Sequence, residues 1–106
     1  MAGYIHRANM QFEIFRQMIR DLGATDSVAC RAVHIITWAM DQLNDDCHLA
    51  SGPWFELMTL KMVEDKPATI FALYAIATSY QRLNPEASLA ISNMVIEAHE
   101  SAATND

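Results

Sequence analysis

Cys30 and His34 lie four residues apart, about one helical turn. Cys47 and His48 follow in a stretch that also holds Asp41, Asp45 and Asp46. A zinc ion takes four nitrogen or sulfur ligands in a tetrahedron. Cys30, His34, Cys47 and His48 could supply them if the segment around residues 44–52 folds back on the helix carrying Cys30. Their spacing matches no established zinc pattern, and a helical cysteine is ordinarily a small apolar residue. A metal or small-ligand site here is therefore the third of three functional readings, and no cofactor is expected. A Cys30–His34 nucleophilic pair lacks a visible group to orient the histidine and a substrate cleft. The adjacent carboxylates Asp45–Asp46 and Glu64–Asp65 flank expected helix ends, where solvent and the helix dipole account for them. With three glycines the chain shows no phosphate-cradling loop and no serine nucleophile elbow. The expectation is a protein that is not an enzyme.

A different chemistry, that of contact, is suggested on the second expected helix. Arg31, His34, Trp38 and Asp41 fall opposite its apolar face. A tryptophan among charges exposes a large ring that needs cover. Either another part of the chain folds over it, or it is the centre of a partner or subunit contact with Arg31 at its edge, both types being common at hot spots. On the last expected helix Leu89 and Ile96 lie opposite the core face, in a stripe with Ser92, Asn93 and His99. Arg31, His34, Trp38, Asp41, Leu89 and Ile96 are the candidate contact residues.

Residues 15–34 also have the outline of a helix-turn-helix, with Leu22–Thr25 as the turn. In such motifs the start of the second helix enters the major groove. Here that start carries Asp26, Ser27, Cys30 and Arg31, so a carboxylate would meet the phosphates. This DNA-binding regulator is the alternative reading. Charge weighs against it: the chain carries -6 overall. Residues 1–35 are nearly balanced and the acidic excess falls in residues 36–106, which would repel a phosphate backbone and favour a protein partner over nucleic acid.

The elements that must position these residues are helical. Pro67–Gln81 holds fifteen uncharged residues, and Ile70, Phe71, Leu73, Tyr74, Ile76 and Tyr80 spread round most of the wheel. A helix apolar on all sides requires cover on all sides, so it is the central rod of a compact domain or sits at a subunit contact. It falls short of the ~20 residues that span a bilayer. The spacing predicts a central helix over about 67–83. An amphipathic helix starting between Tyr4 and Asn9 precedes it, buries Phe12, Phe15, Met18, Ile19 and Leu22, and ends at Gly23. Thr25, Asp26 and Ser27 are cap types for the second helix, whose apolar face is Val28, Ala32, Ile35, Ile36, Ala39 and Leu43. After a loop at 44–52, Ser51 and Pro53 start a third helix with no clean polar side, expected to be largely enclosed. Asp65–Pro67 separates it from the central helix. Asn84 and Pro85 open the last, which buries Ala87, Ala90, Ile91, Met94, Val95 and Ala98. A polar tail is expected at about 101–106.

One hundred and six residues make one domain, and few glycines and prolines favour long helices over many strands. The fold expected is an all-α bundle of about five helices around the central apolar one. The apolar share of 52% is more than one small core conceals, so a homodimer is expected. Two cysteines form no disulfide framework, and no secretory leader or membrane span is read, so the expected location is the cytoplasm. The leading functional reading is a small non-enzymatic protein–protein interaction module, an adaptor, inhibitor or assembly factor, acting as an oligomer.

Overall fold

The first turn of structure is set by a glycine. In the computed structural model, which describes residues 13–44 and 48–104, helix α1 covers 13–21 and stops where Gly23 takes φ +105°. There the Gly23 N–H donates to the Arg20 carbonyl (2.9 Å), and Ala24 N–H donates to the Ile19 carbonyl (3.3 Å), the paired bonds of a Schellman cap. Any side chain at this φ is strained, so glycine is required. The expected start of α1 and Phe12 lie outside the described residues.

Thr25 is the residue that caps α2 (Asp26–Asp41), its hydroxyl accepting from Val28 N–H. The helix continues as a 3-10 turn, Gln42–Asn44. Ser51 caps α3 (Gly52–Glu64), with Pro53 in its first turn. Asp65 alone joins α3 to α4 (Lys66–Ser79). Its N–H closes α3 on the Lys61 carbonyl while its carboxylate accepts from Ala68 N–H at the head of α4. Asn84 accepts from Ala87 N–H (3.1 Å) and opens α5 (Pro85–Thr104). The described chain is all-α, with no strand among the described residues. Its radius of gyration is 13.7 Å, against ~13 Å for a compact chain of about 100 residues.

α4 packs most extensively against α2 and α5, and less against α3. Its buried residues include Ala68, Ala72, Ala75 and Ala77, which let neighbouring helices approach closely, with Leu73 and Ile76 filling the space between. Burying each of those two contributes roughly 1.5–3 kcal/mol. Buried hydroxyls are answered: Thr69 donates to the Lys61 carbonyl (3.1 Å) and Ser88 to the Ala77 carbonyl (2.7 Å). From α3, Trp54 is fully buried and donates its indole N–H to the Ala39 carbonyl of α2 (3.2 Å).

Four expectations shift. The enclosed α3 is not observed: Trp54 and Met58 are its only buried residues, while Leu60 and Val63 are 63% and 82% exposed. The reason is that among the described residues α3 packs mainly against α4, with a smaller contact to α2, which leaves the Leu60 and Val63 side uncovered. α4 ends at Ser79 rather than near Leu83, because Tyr80 leaves helical geometry and its carbonyl accepts from Asn84 N–H (2.8 Å). The α2 face turns slightly: Ala29 and Val33 join the core, while Val28 and Leu43 are half-buried. α5 runs on through Thr104, into the stretch read as a tail; alanines at 102 and 103 favour helix.

Candidate interaction surface

The α2 stripe is met from within the chain. Arg31 donates its Nε to Asp65 (2.6 Å) and a terminal N–H to the Ser27 hydroxyl (2.7 Å). The guanidinium holds the Asp65 carboxyl below its ordinary range; burial opposes this, and the Ala68 N–H adds to it. The same bond raises the Arg31 guanidinium. Trp38 is half-buried, and the Lys61 ammonium of α3 sits 4.9 Å from its ring centre. This arrangement sets a cation over a π face. Between them, Lys61 and Asp65 engage the tryptophan and the arginine, both from the α3 end that joins α4. His34 and Asp41 remain exposed on α2.

Cys30 is an exposed free thiol, and His34 and His48 are exposed. Cys47, Asp45 and Asp46 lie outside the described residues. Among the described residues no three His, Cys, Asp or Glu side chains gather in a way that could hold a metal ion. At the α1–α2 turn Arg20 pairs with Asp26 (3.1 Å), so the two cations a helix-turn-helix would offer, Arg20 and Arg31, each sit on a carboxylate of this chain.

Among the described residues an apolar face stays open on α4. Tyr74 is 48% exposed, and Ile70 and Phe71 are half-buried beside it. Along this stripe the described chain therefore leaves α4 without the cover expected on every side, from its own fold or from a subunit contact. Ile70, Tyr74 and Thr78 stand at four-residue spacing, one above the other on the helix. Three clefts meet at Tyr74. One, of about 510 Å³, lies towards the start of α4 between Leu22, Ile70, Phe71, Lys66 and His99. A second, of about 520 Å³, lies against α1, between Ile14, Met18, Leu22, Asp21 and Thr78. A third, of about 160 Å³, lies against α5 and is walled by Ala77, Val95 and Ile96. Ile14 and Leu22 are 58% and 45% exposed, so the apolar surface continues from α1 across α4 to α5.

No family model, curated protein or solved structure matches this chain.

Of the candidate contact residues, the fold brings Ile96 to the Tyr74 surface; it is 53% exposed there. Leu89, 64% exposed, lies two turns earlier on α5 and lines none of the three clefts. Arg31, His34, Trp38 and Asp41 belong to α2 and are not part of it. Sequence reasoning set Tyr74 on a helix that is either the central rod or a subunit contact and did not single it out as a contact residue. The available signal was the absence of charge over Pro67–Gln81, since a solvent-facing helix stripe ordinarily carries some. No helix among the described residues is long and apolar enough to cross a membrane.

Proposed function

We propose that this chain is a small non-enzymatic protein–protein interaction module that works as a homo-oligomer, its contact surface centred on Tyr74. The supporting observation is the continuous apolar face formed by Ile14 and Leu22 of α1, Ile70, Phe71 and Tyr74 of α4, and Ile96 of α5. Contiguous apolar area with a large aromatic at its centre is characteristic of contact sites rather than of free surface. The occupant assigned to it is a second copy of the chain, since twofold dimers are the commonest closed assemblies and a single apolar patch can serve both sides.

Sedimentation equilibrium across a wide range of protein concentration tests this reading. The expected result is a mass above that of the monomer, returning to the monomer in Tyr74→Asp with the helical signal unchanged. A strictly monomeric wild-type chain overturns the homo-oligomer, and a different protein bound at the same face then becomes the reading to test.

A further inference from the structure

Resting on that reading, we infer how the second copy sits: across a twofold axis near Tyr74, with the cationic cleft of each copy against the acidic cleft of the other. The argument starts from what lines the two large clefts. The one towards the start of α4 carries Lys66 and His99 and, among the described residues, no carboxylate. The one against α1 carries Asp21 and, among the described residues, no cation. Both include Tyr74 and Leu22, so they adjoin with these two side chains as the shared wall.

A twofold contact requires self-complementarity: where one patch meets another, the second meets the first. Rotation about an axis through the shared wall exchanges the clefts. Lys66 of each copy is then brought to the side where the other copy carries Asp21, twice per dimer. Tyr74 packs beside the Tyr74 of the partner copy in the dry centre. A twofold axis running instead from one cleft to the other would set like against like and leave both charge sets unanswered. Like charges across a contact are among the strongest selectors against a wrong arrangement.

Among the described residues neither charge enters an ion pair. Asp21 accepts one hydrogen bond, from the neutral amide of Gln17 (2.8 Å). Lys66 appears in none of the ion pairs formed among the described residues. Contrast Arg31 and Arg20, whose carboxylates lie in the same chain. The rim of the Tyr74 surface thus carries charge of both signs that enters no ion pair among the described residues.

The test is a charge exchange in the full chain. Lys66→Glu puts an acid in the first turn of α4, and Asp21→Lys puts a base in the last turn of α1. Both changes suit the dipoles of their own helices, so neither should unfold the protein. Circular dichroism verifies this. In the proposed arrangement, each variant alone faces two like-charged pairs, and self-association should weaken by about tenfold or more. Mixed one to one, the variants form a dimer in which both pairs are opposite again. Mixing should restore association to near the wild-type level, and raising salt should weaken both the wild-type and the mixed dimer.

A wild-type dimer whose variants associate normally, or whose mixture recovers nothing, overturns this docking arrangement and leaves the oligomer standing. A wild-type chain that stays monomeric overturns both, and a native complex containing a different protein at this face does the same.

Discussion

Two stripes of this molecule carry an aromatic ring outside the core, on α2 and on α4, and the fold treats them oppositely. The α2 stripe has Trp38 among Arg31, His34 and Asp41, and α3 reaches over to it: Lys61 lies on the ring and Asp65 holds the arginine. The α4 stripe has Tyr74 between Ile70 and Thr78, and within the described chain three clefts open beside it. The difference teaches that a ring set among charges offers polar handles which the chain's own residues can grip. A ring whose neighbours along its own helix are uncharged offers mainly apolar area, and in water that area is satisfied best by another apolar surface.

That contrast can be broken in several places, and Trp54→Ala is the most severe. The indole is fully buried and ties α3 to the α2 carbonyl at Ala39, so its loss removes the support that brings Lys61 and Asp65 over the α2 stripe. Equilibrium urea unfolding should show a loss of about 3–5 kcal/mol. Tyr74→Ala acts on the other stripe. Because the ring is half exposed, folding should change little, while self-association weakens by about 2 kcal/mol or more as read by sedimentation. A variant that unfolds instead would place Tyr74 with the core.

Asp65 is the next largest. Asp65→Ala removes the α4 cap together with the Arg31 partner and should cost about 1–2 kcal/mol by urea unfolding. Asp65→Asn keeps an acceptor for the cap and should recover part of that loss. The same residue gives a pH dependence with a definite sign. Its carboxyl titrates lower in the folded chain than in the unfolded one, mainly through Arg31, so the unfolded state binds the proton more readily. The stabilisation is therefore complete above the unfolded carboxylate value and is lost as pH falls through the lower folded one. Stability measured from neutral to acid pH should fall less steeply in Asp65→Asn than in the wild type. The smallest effect is that of Trp38→Ala. Loss of a partly exposed cation–π contact should cost about 0.5–1 kcal/mol in stability and leave self-association unchanged. Weakened association in this variant would return the contact to α2.

How much of this could be read in the chain follows the range of the interactions. The caps are local and were legible: Gly23, Thr25, Ser51, Asp65 and Asn84 each act on backbone within a few residues. The all-α class followed from periodicity and from the shortage of glycine and proline. The pairing of Arg31 with Asp65 spans 34 residues, and nothing in either neighbourhood announces it. The open side of α4 was illegible for the opposite reason. With apolar residues all round, the pattern has no polar side to mark the way out, and only the neighbours decide which stripe is left over. The exposure of Leu60 and Val63 on α3 has the same origin. Ile96 was legible as an apolar residue out of place, but its nearness to Tyr74 depends on how α5 lies against α4.

Asp65 serves two helices at once, and this couples their opening. With a single residue between Glu64 and Lys66, the last turn of α3 cannot fray without disturbing the group that closes the first turn of α4. Amide protons on the two sides of the joint should therefore exchange with solvent as one unit, at one common rate of opening, rather than as the independent ends of separate rods.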